Sequence, residues 1–188
     1  MGYNKHETAV VEDAKIGNGT KIWHFAHIRT GAKIGKDCNI GKGVYVDTNV
    51  KIGDKTKIQN FVSIYDGVTL EEDVFIGPSV TFTNDLYPRS NRWNEEDIVT
   101  TLVEKGVSIG ANSTIVCGIK VGKHAMIGAG SVVTKDVPSF GLMFGNPARL
   151  QGFVCYCGKK LKDVVSEDEK KIVYKCSECG KTIEIEKK

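Results

Sequence analysis

An aliphatic or aromatic residue returns at every sixth position from Val10 to Phe82: Val10, Ile16, Ile22, Ile28, Ile34, Ile40, Val46, Ile52, Ile58, Ile64, Leu70, Ile76, Phe82. The period stops, then resumes at Val103 and runs through Ile109, Ile115, Val121, Ile127 and Val133. A helix repeats every 3.6 residues and a strand every two, so a period of six belongs to neither and marks a stack of repeated units. Four residues after each aliphatic comes a small or β-branched residue, from Ala14 and Thr20 to Val74 and Val80, and a Gly often follows directly, as in Ile34-Gly35 and Ile127-Gly128. A chain that turns a corner every six residues closes a triangular coil every eighteen, with very short strands for sides and tight turns for corners. Ile16, Ile34, Ile52 and Leu70 then stack, as do Ile22, Ile40, Ile58 and Ile76. Parallel strands pair between coils at about 4.8 Å, and the aliphatic ladder fills the prism. Each ladder side chain contributes about 1.5–3 kcal/mol on burial, so the repeat outweighs any local propensity. The expected fold is all-β, a parallel β-helix followed by a small second module.

Length and composition bound the rest. The chain of 188 residues has room for one solenoid and one appendage. Its 26 basic and 23 acidic residues are too balanced to suggest nucleic acid as a partner, and the lysines in the turns read as solvated corners. No apolar run approaches the roughly 18 residues of a membrane span, and the N-terminal residues lack a signal-peptide pattern. No membrane association and a cytoplasmic location are therefore expected. Cys38 falls at a small inward position, Cys117 at a turn with no evident partner, and His124 at a corner where solvation is expected.

From about Gly152 the period is gone. Cys155-Tyr156-Cys157-Gly158 and Cys176-Ser177-Glu178-Cys179-Gly180, with eighteen residues between Cys157 and Cys176, form a pattern that reads as a zinc ribbon. The first pair is C-x-C and not the commoner C-x2-C, and redox or disulfide use is the alternative. Four thiolates would fill a tetrahedral ion, making the zinc structural and not catalytic. So short and apolar-poor a segment could hardly fold without it. The domains expected are a β-helix over 1–151, interrupted by a loop at 84–100, and a ribbon over 152–188. The ribbon could cap the open end of the prism or recruit a partner.

The loop is polar but holds Tyr87, Arg89, Arg92 and Trp93, side chains suited to rings and anions. The hexad itself resembles that of the hexapeptide-repeat acyltransferases, [LIV]-[GAED]-x-x-[STAV]-x. The resemblance implies a left-handed coil, a homotrimer, and active sites in grooves between prisms. Two segments, Ile22-Trp23-His24-Phe25-Ala26-His27-Ile28 and Phe82-Thr83-Asn84-Asp85-Leu86-Tyr87-Pro88-Arg89, are similar to the branch that N-acetylates nucleotide-linked 3-amino sugars. That likeness implies acetyl-CoA as cosubstrate. UDP-2-acetamido-3-amino-2,3-dideoxy-glucuronate is the preferred acceptor, and dTDP-3-amino-3,6-dideoxyhexoses serve relatives in the same branch.

Where many family members carry a catalytic His, this chain reads Thr83-Asn84-Asp85. An amide cannot titrate but its carbonyl oxygen can orient an acceptor, which makes Asn84 the catalytic candidate. A hydroxyl needs a base to attack a thioester, whereas an amine with a free lone pair needs one less. His24, Tyr87, Arg89 and Arg92 are the substrate-binding candidates. Ala111 and Ala129, one coil apart, would let a pantetheine arm approach the backbone. Arg149, in Gly145-Asn146-Pro147-Ala148-Arg149, and Lys135 would meet CoA phosphates. The rivals are O-acetylation of a sugar or small alcohol, with His24 as the base, and a non-catalytic scaffold.

Overall fold

Three parallel sheets wrap a shared aliphatic core. In the computed structural model, which describes residues 2–92 and 94–187, two-residue strands end on successive ladder residues, as in Lys21–Ile22, His27–Ile28 and Lys33–Ile34. Face A starts at Asn4–Lys5 and gathers nine strands, face B starts at Val10–Val11 with seven, and face C starts at Lys15–Ile16 with six. The register follows the eighteen-residue step: Ile22 lies beside Ile40, Ile28 beside Val46, and Ile34 beside Ile52. Ile28, Ile40, Ile58, Ile64, Ile76 and Phe82 are completely buried.

Each corner turns on a residue at positive φ, and these too recur every sixth position: Gly19, Phe25, Gly31, Asp37, Gly43, Asn49 and onward. A side chain in that conformation costs roughly 1–2 kcal/mol, so the stacking of coils, not local preference, dictates the turn. The residue behind each corner points inward, and where it is polar its hydroxyl is satisfied except at Thr101, where the chain returns from the insertion and Oγ1 is buried without a partner among the described residues. Thr20 Oγ1 donates to the Gly35 carbonyl at 2.8 Å and Thr56 Oγ1 to that of Glu71 at 3.2 Å.

Two expectations are corrected. Val10 is not on the ladder: Val11 pairs with Ile28, and Val10 is 53% exposed. The chain spends five residues, not six, between Val11 and Ile16, and a Val-Val pair hides the shift. Cys117 is a free, buried cysteine at its turn, as expected, and its N–H donates to Thr83 Oγ1 at 3.0 Å. His124 is half-buried and not solvated, with its ring 5.3 Å from Phe140 and 4.6 Å from Tyr156. That desolvation holds its pKa below the usual histidine range.

The break in the hexad leaves the prism at the corner between faces B and C and returns at the strand Thr101–Val103. Its neck is closed by Val99 N–H donating to the Asn84 carbonyl at 2.8 Å. After the strand Val132–Val133 the coil gives way to a hairpin, Gly141–Gly145 with Ala148–Phe153, which adds to the last strand of face A. A three-stranded antiparallel sheet follows: Asp163–Glu167, Lys171–Lys175 and Thr182–Glu186. Its small core joins Cys155, Leu161, Cys176, Ile183 and Ile185, with Phe140, Phe153 and Tyr174 against it. No helix of the described residues is long and apolar enough to cross a membrane.

Candidate functional site

The site candidates collect on the two edges of face B. Asn84 stands two positions beyond Phe82, as Cys117 does beyond Ile115 and Lys135 beyond Val133. Register across this face aligns the three in one column on the B–C corner. Asn84 is half-buried at the root of the insertion, and its side-chain amide makes no hydrogen bond to another described residue. Above it the chain forms a cleft of about 480 Å³ lined by Tyr87, Arg89 and Arg92 together with Asp85, Glu96 and Asp97. Arg89 and Arg92 meet in an isolated antiparallel bridge, with Arg92 N–H donating to the Arg89 carbonyl at 3.2 Å. The Asp85 carboxylate accepts the Tyr87 N–H at 2.7 Å and shapes the turn, leaving the Tyr87 ring 85% exposed. Trp93 lies outside the described residues.

The opposite edge, the A–B corner, bears the small residues. Ala111 and Ala129 are stacked, with Gly130 N–H donating to the Ala111 carbonyl at 2.8 Å. Backbone approach is tight here: a Cβ on Gly110 would lie 2.5 Å from Ala129 N, and one on Gly128 would lie 2.8 Å from Phe144 Cβ. Phe144 pairs with Arg149 across the terminal hairpin, so Arg149 lies two strands beyond the Met126–Ile127 strand on face A. Arg149 is exposed, and its guanidinium donates to the Ala148 carbonyl at 3.1 Å. Lys135, grouped with it from sequence, is on the other corner, two coils above Asn84. Across face B the two edges are separated by about six residues, roughly 15–20 Å.

His24 shares the column of Ala111 and Ala129 but sits three coils below the coil of Asn84, about 14 Å along the axis. Its exposed ring stacks on His6 with centroids 3.5 Å apart. His27 projects from face B itself, where its Nε2 is 2.8 Å from Glu12 Oε1. It belongs to a network that sequence reasoning missed. Arg29 Nε is 3.2 Å from the same Glu12 oxygen, Arg29 Nη1 donates to Tyr45 Oη at 3.1 Å, and Tyr45 Oη donates to Asp47 Oδ1 at 3.0 Å. The His27 bond, then the Thr30 hydroxyl and N–H, hold the Glu12 carboxyl down to about 2. The signal was there at eighteen-residue spacing: outward columns His27-Tyr45-Ser63 and Arg29-Asp47-Tyr65.

At the C-terminal end Cys155, Cys157, Cys176 and Cys179 bring four sulfurs within 4.8 Å of one another. The contacts Cys155–Cys179 and Cys157–Cys176 are 3.4 and 3.7 Å. A tetrahedral zinc with bonds of about 2.3 Å needs sulfur–sulfur edges near 3.8 Å, so the four residues fit such an ion. Burial pushes the Cys155 thiol up to about 12, while the N–H groups of Cys179 and Glu178 draw Cys176 down to about 7. Gly158 N–H turns back to the Cys155 carbonyl at 2.8 Å and Gly180 N–H to that of Cys176 at 2.9 Å. The four sulfurs lie on the ribbon, away from both edges of face B.

The pattern described as bacterial transferase hexapeptide (six repeats) matches residues 13–48, 49–84 and 100–135, and that of the hexapeptide repeat of succinyl-transferase matches 31–66. The chain belongs to the bacterial hexapeptide transferases. Among relatives of this hexapeptide transferase is the dTDP-3-amino-3,6-dideoxy-alpha-D-galactopyranose 3-N-acetyltransferase of Aneurinibacillus thermoaerophilus. It is 55% identical over 157 residues, which cover 84% of this chain and 81% of the relative. The bifunctional protein GlmU of Synechococcus sp. is 34% identical over 142 residues, 76% of this chain but only 29% of GlmU. Among solved structures, LpxA, a UDP-N-acetylglucosamine acyltransferase from Bacteroides fragilis, superposes with a TM-score of 0.67 at 19% identity. The match covers 81% of this chain and 61% of LpxA, a likeness of fold alone.

Proposed function

We propose that this hexapeptide transferase moves the acetyl group of acetyl-CoA onto the amine of a nucleotide-linked amino sugar, and does so as a homotrimer. The observation that carries this reading is Asn84: an untitratable amide at the root of the insertion, on a coil with no histidine. An acceptor there must arrive with its own lone pair. The neutral amine attacks the thioester carbonyl, the C–N bond forms as the C–S bond breaks, and the departing CoA thiolate takes the proton the nitrogen loses. Asn84 would hold the amine through its carbonyl oxygen, and Tyr87, Arg89 and Arg92 would receive the nucleotide-sugar beside it. Ala111 and Ala129 would border the pantetheine arm, with Arg149 on a CoA phosphate. Donor and acceptor elements lie on opposite edges of face B, which favours a site completed by a neighbouring subunit.

For the acceptor, the Aneurinibacillus relative puts a dTDP-linked 3-amino-3,6-dideoxyhexose first. The UDP-2-acetamido-3-amino-2,3-dideoxy-glucuronate preferred from sequence stays beside it, because Arg89 and Arg92 would suit its carboxylate. Thiol release from acetyl-CoA with a panel of dTDP- and UDP-linked amino sugars and their hydroxyl counterparts tests the reading. Turnover confined to amines supports it. Release with the alcohols, lost in His24→Ala, would replace it with O-acetylation.

A further inference from the structure

The ribbon packs against the solenoid at the base of the terminal hairpin. Phe140, the residue before the hairpin's first strand, turns a corner at φ 60, as Phe25 and Phe61 do at lower corners. A bulky side chain in this conformation is strained and persists only when its surroundings hold it. Its surroundings are specific. The Phe140 ring stacks on His124 of the preceding coil at 5.3 Å and meets Tyr156 edge-on at 5.0 Å. Tyr156 stands between the ligand candidates Cys155 and Cys157 and also meets His124 at 4.6 Å, with Lys181 of the second cysteine knuckle 5.4 Å above its ring. The backbone repeats the connection: Val154 N–H donates to the Phe140 carbonyl and Leu161 N–H to that of Phe153, both at 2.8 Å. Gly158 presses so close to the solenoid that a Cβ there would lie 3.3 Å from Met126 Cε.

Beyond that base the hairpin is anchored by its first strand on face A and by Met143 and Ala148 in the prism core. Its second strand, Ala148–Phe153, is the outermost of face A and pairs only with the first. Arg149 sits on that outer strand. We propose that the cysteine-knuckle ribbon is a clamp on the donor end of the solenoid: through the His124–Phe140–Tyr156 seam it holds the hairpin, and with it Arg149, in place. Tyr156 and Phe140 are thereby positioning residues for CoA, a consequence that rests on the donor reading given above for Arg149.

The test is amide hydrogen exchange on the full-length protein, with CoA affinity measured by calorimetry on the same samples. Wild type before and after chelation is compared with Tyr156→Ala, His124→Ala, Tyr156→Phe and Arg149→Ala. His124→Ala leaves the four cysteines untouched, so a ribbon that fails to fold in one variant does not decide the result. Exchange across residues 141–153 should accelerate at least about tenfold on chelation and in both seam alanine variants, while the Lys57–Ile58 region stays as in wild type. CoA should bind about tenfold more weakly in the same samples, and Tyr156→Phe should match wild type. Unchanged hairpin exchange in Tyr156→Ala and His124→Ala would overturn the clamp, as would acceleration spread evenly along the solenoid. Arg149→Ala should weaken CoA without altering exchange; unchanged CoA affinity there would remove the donor role of Arg149 and leave the clamp to the exchange result.

Discussion

Asn84 owes its position to the coil beneath it and its freedom to the insertion above it. Phe82 is locked in the ladder, Thr83 accepts the Cys117 N–H, and the Asn84 carbonyl is tied to Val99, so the backbone is fixed while the side-chain amide makes no hydrogen bond to another described residue. An orienting group of this kind acts on the reacting geometry, where misplacement costs about 100-fold in rate. Asn84→Ala is expected to lower kcat with the amino sugar by about that factor while CoA binds as before, which steady-state kinetics beside calorimetry would resolve. Glu12 offers a residue-level prediction of another kind. Its folded carboxyl titrates near 2, below the ordinary 4.5, so the network it anchors stabilises the fold above about pH 4.5 and loses that contribution as pH falls through 2. The melting temperatures of wild type and Glu12→Gln should differ by a constant amount from pH 7 to about 5 and converge towards pH 2; a gap indifferent to pH would mean the carboxylate charge is not what matters. Neither the network nor its pH dependence was legible in the hexad, because the hexad reports inward positions and these side chains all point outward.

At the scale of the coil, the inward positions were nearly all readable, since a period of six admits one way of burying its aliphatics. The error at Val10 shows the limit: two adjacent valines satisfy the pattern equally, and only pairing with Ile28 chooses Val11. The corners were less readable. Gly, Asn and Asp announce a turn, but Phe25, Phe61 and Phe140 occupy the same left-handed positions without announcing them. The glycines next to ladder residues answer to a different constraint. A Cβ on Gly35 would lie 2.6 Å from Asp54 N and 2.8 Å from the Gly53 carbonyl carbon, both backbone atoms of the next coil. Those atoms cannot move aside without breaking the ladder, so Gly35→Ala should destabilise by about 1–3 kcal/mol, as overpacking does. Ile58→Ala, which empties a fully buried rung, should cost about 2–5 kcal/mol. Denaturant melts would check both. A neutral Gly35→Ala would show that the coils have slack in their spacing.

At the scale of the whole molecule, the candidate site is divided. The hexad and the Gly145–Arg149 segment pointed to donor elements, and the insertion pointed to acceptor elements. What the sequence could not reveal is that these fall on opposite edges of face B, since a column becomes visible only when the coils are stacked. A groove between subunits would bring one chain's Asn84 edge to a neighbour's Ala111–Ala129 edge. That arrangement has a consequence measurable without a structure of the assembly. Asn84→Ala disables the acceptor edge, and Ala129→Trp, at an exposed position, blocks the donor edge. Each variant alone should keep no more than about a hundredth of the activity. Unfolded together at equal amounts and refolded, they would form mixed trimers in which a site is intact whenever an unaltered Asn84 faces an unaltered Ala129. Random assortment gives that pairing in about a quarter of sites, so about a quarter of wild-type thiol release should return. A site built within one chain would carry a lesion in every copy, and the mixture would stay as inactive as its components. Recovery would therefore locate the chemistry between subunits, and its absence would return both edges to a single prism.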